Sequence, residues 1–503
     1  MLGGISRRGF LAGGLSAVAG AAYGEAPLSS LRPASKPDLI GGAAPDIARL
    51  TQPSIADLIA KADLGGRIGF VVADARTGVF LESRNAELSL PPASVAKAVT
   101  AQYGLATLGG DYRFRTRFVA TGPVDNGVVQ GDLVLVGSGD PVFDTDDLSE
   151  MVAGLKARGV RGVSGAFKVY AGALPYVRAI DPAQPEHVSY NPTISGMNLN
   201  YNRVHFQWER AQAGWTVSLD ARSATLRPAV TVAKMDVVER TLPTYTYRDE
   251  GGVDEWTVAS AALGTGGTRW LPVRRPALYA GEVTQVLAAA HGIKLPAPVE
   301  AGSVPAGQVL VDHESASLSA ITRLMLKYST NLTAEVIGMT ASAARGARPG
   351  DHKASAAAMS DWLRDSLGAR SARFVDHSGL GDRSRISAAD MVRLLVKVGP
   401  GSALHAHMKE IVPQNEDGGA NAYAQHTIHA KTGSLNFVST LAGFVTGPDG
   451  APLAFAVFTG DTARRARIKR EDMERPDGAR AWARRSRWLQ HQLLNRWAGL
   501  YIA

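Results

Sequence analysis

The chain has 503 residues, 45% apolar and 20% charged, a formal net charge of +8 and no cysteine. That length implies two to four domains and a sizeable core, and the lack of cysteine excludes disulfides, thiolate metal sites and a cysteine nucleophile. The basic balance permits anionic partners, but no zinc-finger, RRM or homeodomain signature accompanies it, so no nucleic-acid partner is expected.

At the N-terminus, SRRGFLAGGLSAVAGAA sets Arg7 and Arg8 before an apolar run from Phe10 to Ala22. This resembles a twin-arginine signal, and small residues end it, so 1–26 is expected to be an export signal to the periplasm. Residues 27–53, rich in Pro, Ser, Ala and Gly without a period, read as a linker. No later stretch reaches the ~18 uninterrupted apolar residues that a membrane span needs.

Residues 54–118 begin with a short helix at SIADLIAKAD. A hairpin follows at RIGFVVADARTGVFLESRNAE, turning at Asp74 to Gly78. Next comes a helix over SVAKAVTAQYGLATLG, with Val95, Val99 and Ala106 facing inward. Over 119–307 the chain reads mostly as short strands with turn signals such as Asp125-Asn126-Gly127, which predicts an inserted β-rich region. Residues 308–503 return to helices, then two strands around AKTGSLN and APLAFAVFTGD. In the last helix Trp482, Leu489, Leu493 and Trp497 form an apolar stripe expected to dock on the fold.

Ser94 and Lys97 stand three apart on one face of the second helix. A serine hydroxyl is a poor nucleophile until a base takes its proton, and a neutral lysine one turn away can do so. Alone, Ser-x-x-Lys arises by chance in a chain this long. Two distant motifs supply partners: Ser329 and Asn331 in KYSTN, and Lys431, Thr432 and Gly433 in AKTGSLN. Ser329 can relay a proton, and Asn331 can hold substrate and fix Lys97. Lys431 adds a cation that keeps Lys97 deprotonated and attracts a substrate carboxylate, which Thr432 can bond. Gly433 leaves the strand bare, and the backbone N–H groups of Ser94 and Ser434 can form an oxyanion hole.

The order Ser-x-x-Lys, Ser-x-Asn, Lys-Thr-Gly resembles that of penicillin-binding proteins and serine β-lactamases. The segments PASVAKAVTAQYGLATLGGDYRFRT, GDLVLVGSGDP, MLKYSTNLTAEVIG, FVDHSGLGDRSRIS and AKTGSLN are similar to those of the D-alanyl-D-alanine carboxypeptidase/endopeptidase family, the low-molecular-mass class C penicillin-binding proteins. The resemblance runs from about Ala56 to the C-terminus. It implies an α+β fold in which a transpeptidase-like domain, an antiparallel sheet flanked by helices, is interrupted by inserted β-rich domains. It further implies a serine DD-peptidase that cleaves D-alanyl bonds of peptidoglycan stem peptides through an acyl-enzyme on Ser94. β-Lactam antibiotics would be covalent inhibitors, and no metal or cofactor would be needed. The segment SYNPTISGMNLNYNRV falls where the family builds part of its substrate pocket; from its residues alone it reads equally as β-structure with turn asparagines.

The alternative is a serine β-lactamase. It would need a group that speeds deacylation, such as a positioned glutamate or a tyrosine in place of Ser329. Tyr328 is one residue out of register, and the 235 residues from Ser94 to Ser329 exceed what a compact β-lactamase holds. A catalytically silent wall-binding protein would have no need of the intact motif set. His405, His407, His426 and His429 read as surface histidines, and Asp140, Asp144, Asp146 and Asp147 as a solvated turn or helix start. Contact of the basic C-terminal helix with a membrane would be peripheral.

Overall fold

The computed structural model describes residues 52–502, so the export signal expected over 1–26 and most of the linker lie outside the described residues. Segments from both ends of the chain build a six-stranded antiparallel sheet. Its strand order is Lys409–Glu410, Thr427–Leu435, Val438–Thr446, Pro452–Gly460, Arg67–Asp74, Phe80–Arg84. Arg67–Asp74 pairs along its length with Pro452–Gly460, Val71 opposite Ala456. Residues separated by almost four hundred positions therefore share one ladder.

Both faces of this sheet are buried, which explains its near-continuous apolar strands. One face, with Phe70, Phe455 and Val457, receives the C-terminal helix Ala479–Tyr501. Trp482, Leu489, Leu493 and Trp497 are all buried there, and Trp482 Nε1 donates to Leu64 O at 2.6 Å. The stripe docks as expected. No helix among the described residues is long and apolar enough to cross a membrane.

The other face, with Val71, Ala456 and Phe458, meets a cluster of helices that includes Ala96–Leu108, Leu318–Tyr328, Asn331–Ala344 and Ala388–Val398. Val95 and Val99 are buried in this core. Ala106, expected to face inward, is exposed, because the helix buries its first three turns and its last turn reaches the surface.

The chain departs and returns through neighbouring strands. Arg115–Ala120 pairs antiparallel with Gln308–Glu314 at the edge of a five-stranded sheet. Three three-stranded sheets stand between them in sequence: Val124–Asp125, Val128–Val129, Gly162–Val163; Trp215–Asp220, Arg203–Arg210, Gly266–Pro272; and Ala233–Val238, Val253–Ala259, Tyr245–Glu250. The turn at Asn126-Gly127 joins the short strands Val124–Asp125 and Val128–Val129. Both turn residues have positive φ, as a two-residue hairpin requires.

This region also contains two helices that the strand reading passed over, Thr145–Ala157 and Pro276–Ala290. The first is set by Asp144, whose side chain accepts from the Asp146 and Asp147 amides in a capping box. The second opens on Pro276 and is rich in alanine, so its sequence carries little periodicity.

Candidate active site

Ser94 sits in a 3₁₀ turn, Ala93–Val95, that runs into the helix Ala96–Leu108. Pro91 and Pro92 set the entry, and Ala93 is left-handed at φ 47°, a conformation that costs about 1 kcal/mol or more for a residue with a Cβ. Packing holds it. Ala93 is fully buried, and Thr440 Oγ1 donates to Pro92 O at 2.7 Å.

The strand Thr427–Leu435 lies directly against this turn. A Cβ on Gly433 would meet Thr440 Oγ1, Pro92 O at 2.7 Å and Ser94 N at 2.9 Å. Only glycine lets the strand approach so closely. Gly379 is forced in the same way: its φ is +74°, and a Cβ there would collide with Ala93 O.

Lys97 is fully buried one turn after Ser94. Its Nζ lies 3.0 Å from Ser94 Oγ, 2.7 Å from Asn331 Oδ1 and 2.7 Å from Ser378 O. Asn331 Oδ1 and Ser378 O can only accept. They take the two N–H bonds of a neutral amine and turn its lone pair towards the Ser94 hydroxyl. Burial holds the Lys97 ammonium well below its ordinary pKa, and the Lys431 cation lowers it further, while Asp376 and Glu335 oppose both.

The other motif residues arrive from two more elements. Ser329 ends the helix Leu318–Tyr328 in a left-handed C-cap, φ 60° and ψ 38°, and Asn331 begins the next helix. Ser-x-Asn is therefore the corner between two helices. Lys431, buried on its strand, donates to Ser329 Oγ at 3.1 Å and to Thr432 O at 2.8 Å. Burial pushes its pKa down to about 8, with Lys409 adding to the effect.

The five groups thus form two bonded sets, Ser94–Lys97–Asn331 and Ser329–Lys431. Ser329 bonds Lys431 rather than Lys97. Thr432 and Ser434 are exposed and flank Gly433 on the strand.

Several groups at this site lie outside the three short motifs, in the segments MLKYSTNLTAEVIG and FVDHSGLGDRSRIS. Glu335 is fully buried and accepts from the backbone N–H groups of His377 and Ser378, the latter at 2.9 Å. Asp376, 1% exposed, accepts from Gly379 N at 2.9 Å and from Ser384 Oγ at 3.2 Å. Burial and then the Glu335 charge raise it to about 7. A sequence signal existed: Glu335 stands four residues after Asn331, on the same helix face.

Asn331 Nδ2 donates to Tyr190 O at 2.7 Å, so SYNPTISGMNLNYNRV reaches the motif residues. The segment is a loop rather than β-structure up to the strand Arg203–Arg210. Asn200, Tyr201 and Asn202 are consecutively left-handed, and the buried Asn191, Asn198, Asn200 and Asn202 bond backbone or side-chain groups around them.

Two minor expectations are corrected. His407 is buried, with Nε2 at 2.9 Å from Ser319 Oγ and Nδ1 at 3.0 Å from Thr322 Oγ1; one turn of the helix Leu318–Tyr328, not solvent, receives it. Asp140 is no solvated turn residue. It is 2% exposed, and burial pushes its carboxyl up to about 7, with Asp147 and Asp144 adding to the rise. Among the described residues no group of three or more His, Cys, Asp or Glu is placed to hold a metal ion.

A six-stranded antiparallel sheet flanked by helices, with Ser-x-x-Lys and Lys-Thr-Gly meeting at its edge, defines a penicillin-binding transpeptidase-like fold carrying additional β-rich domains. The solved structure of penicillin-binding protein 4 (dacB) from Haemophilus influenzae superimposes with a TM-score of 0.70, covering 90% of this chain and 100% of that one at 19% identity. The chain is 30% identical over 448 residues to the D-alanyl-D-alanine carboxypeptidase of Actinomadura sp. (strain R39), covering 82% of this chain and 81% of the relative. It is 27% identical over 440 residues to carboxypeptidase Rv3627c of Mycobacterium tuberculosis, covering 84% and 82%. The chain belongs to the D-Ala-D-Ala carboxypeptidase 3 (S13) family, whose pattern it matches over residues 51–476.

Proposed function

We propose that this serine DD-peptidase cleaves D-alanyl bonds of peptidoglycan stem peptides through an acyl-enzyme on Ser94. The observation that carries the assignment is the threefold environment of Lys97, with two pure acceptors and one serine hydroxyl at 3.0 Å. Ser94 Oγ attacks the carbonyl carbon of the penultimate D-alanine, and its proton passes to Lys97 Nζ. The carbonyl oxygen becomes an oxyanion facing the N–H groups of Ser94 and Ser434. Lys431 donates to Ser329 Oγ, which leaves the Ser329 hydroxyl proton free for the departing amine; the proton that Lys97 took from Ser94 then passes to Ser329, so one proton moves in net from Ser94 to the amine and both Lys97 and Ser329 return to their starting forms. Water then attacks the ester and releases Ser94.

Asn331, Lys431, Thr432 and Gly433 bind substrate in this reading. Lys431 attracts the terminal carboxylate, Thr432 bonds it, and the bare edge at Gly433 admits the peptide backbone. A free D-alanine leaving group is carboxypeptidase work; an amine on a neighbouring stem is endopeptidase work. A β-lactam enters the same route and leaves a slowly hydrolysed acyl-enzyme. The Arg7-Arg8 segment supports a periplasmic location, and the outward arginines of the last helix support membrane contact that is peripheral at most.

Intact mass after addition of benzylpenicillin, for the wild type and Ser94→Ala, tests the assignment. A long-lived adduct on the wild type alone is expected, together with release of D-alanine from a peptide ending in D-Ala-D-Ala. Unmodified wild type with intact penicillin would refute it. Rapid loss of penicillin with only a fleeting adduct would mark a β-lactamase instead.

A further inference from the structure

We infer that Glu335 is the positioning residue of the base: its carboxylate holds the Ser378 carbonyl against Lys97 and supplies the counter-charge for the ammonium that forms when Lys97 takes the Ser94 proton. This rests on the reading of Lys97 as that base.

Two of the three contacts to Lys97 originate on one helix face. Asn331 and Glu335 are one turn apart on the helix Asn331–Ala344. Asn331 reaches Lys97 directly at 2.7 Å. Glu335 reaches it through one residue: it accepts from Ser378 N at 2.9 Å, and Ser378 O accepts from Lys97 at 2.7 Å. It also accepts from His377 N at 3.0 Å, so the peptide group leading into Ser378 is gripped from one side. Burial raises the Glu335 carboxyl above its usual range, while the Ser378 hydroxyl, these backbone donors, which have only protons to give, and the Lys97 charge pull it back towards the ionised carboxylate.

A fully buried carboxylate is costly, and an amide would brace two N–H groups nearly as well. The charge has a use here. Lys97 is neutral while it waits and positive once it has taken the proton, and in a buried site that ammonium needs an anion. The charged and titratable groups around Lys97 and Glu335 come from several elements: Lys431 on the strand acts on Lys97, Asp376 and His377 on the loop lie beside Glu335, and His352 on the helix His352–Leu367 acts on His377. His377 is held neutral by burial, its pKa lowered to about 3. Lys431 repels the Lys97 ammonium. Asp376 favours it too, but bonds Gly379, Gly381 and Ser384 of its own loop. Glu335 alone among these carboxylates grips the residue whose carbonyl holds Lys97.

Single-turnover acylation by a chromogenic cephalosporin, followed from about pH 5 to 10 on the full chain, tests the inference, with thermal unfolding measured in parallel. The wild-type rate should fall on the acid side as Lys97 gains a proton. Glu335→Gln removes the anion, so Lys97 sheds its proton more readily. The acid limb should move down by about one unit, and the plateau should fall about 10-fold or more, because the base is weaker and less firmly held. Glu335→Asp keeps the charge and shortens the reach, so its limb should stay in place while its rate falls. An unmoved limb in Glu335→Gln overturns the inference whatever the rate, since a neutral brace changes the rate alone. If Glu335→Gln does not fold, Glu335→Asp decides: a limb in place with a lower rate supports the inference, and a shifted limb or a wild-type rate overturns it. A wild type that acylates without any acid limb would instead remove Lys97 from the base role.

Discussion

Lys97 Nζ stands 3.0 Å from Ser94 Oγ in a site from which solvent is excluded around the amine. The pair differs from the many serine-lysine neighbours on protein surfaces in one respect. Every other direction around the nitrogen is occupied by a fixed acceptor, Asn331 Oδ1 or Ser378 O. The lone pair has one place to point.

Lys97→Arg keeps N–H donors at this position but carries a fixed positive charge and cannot lose its proton at accessible pH. Acylation by benzylpenicillin should fall about 10³-fold. Stopped-flow or intact-mass time courses check this, and a loss of less than about tenfold would show that some other group takes the Ser94 proton.

Lys431 titrates near 8 in the folded chain. Its ammonium is present below that pH and is lost as the pH rises through it. The kcat/KM for a substrate with a free terminal carboxylate should therefore decline above about pH 8. Lys431→Met should remove that alkaline limb and lower kcat/KM about 30-fold, the equivalent of about 2 kcal/mol from one charge-assisted hydrogen bond. A limb that survives the substitution would belong to another group.

Gly433→Ala places a methyl group against Pro92 O, Thr440 Oγ1 and Ser94 N, all backbone or tightly held. The strand and the nucleophile turn must separate. We expect a stability loss of about 1–3 kcal/mol and a fall in acylation of about 10²-fold, as for a displacement near 1 Å at a reacting centre. Denaturant unfolding and acylation kinetics on the same sample separate the two effects.

Asp140 offers a stability test remote from the chemistry. Its folded carboxyl titrates at about 7, against about 3.9 when unfolded. Between those values the native state keeps a proton that the unfolded chain has lost, so this group's stabilisation is full below about pH 4 and is lost as the pH rises through about 7. Asp140→Asn cannot ionise. Its Tm should exceed that of the wild type at about pH 8 and match or fall below it near pH 5. Thermal melts at the two values decide.

Much of this was legible along the chain because the information was local. Ser94 and Lys97 are helical neighbours, Asn126-Gly127 is a hairpin by its own backbone needs, and the stripe Trp482, Leu489, Leu493, Trp497 predicts a docked helix from spacing alone. The start of Thr145–Ala157 is legible in Asp144, Asp146 and Asp147, but its extent and the whole of Pro276–Ala290 are not, because their apolar residues are diluted with alanine and polar residues. His407 and Asp140 were misplaced for a related reason: polarity predicts exposure unless partners are known, and their surroundings come from elsewhere in the chain.

The sequence by itself determined the chemical vocabulary: a hydroxyl, two amines, an amide and a bare glycine strand, in an order that names the reaction class. Folding decided what those groups are. Lys97 is fitted to the base role proposed for it because burial and Lys431 depress its pKa, and because Asn331 and Ser378, 234 and 281 positions away, accept from its nitrogen. Asp376 and the Tyr190 carbonyl reach the site through long-range packing, whereas Glu335 rides on the helix that Asn331 begins. Residue type and local spacing survive in the linear chain. Desolvation and the convergence of backbone carbonyls do not, since they exist only once distant segments exclude water together.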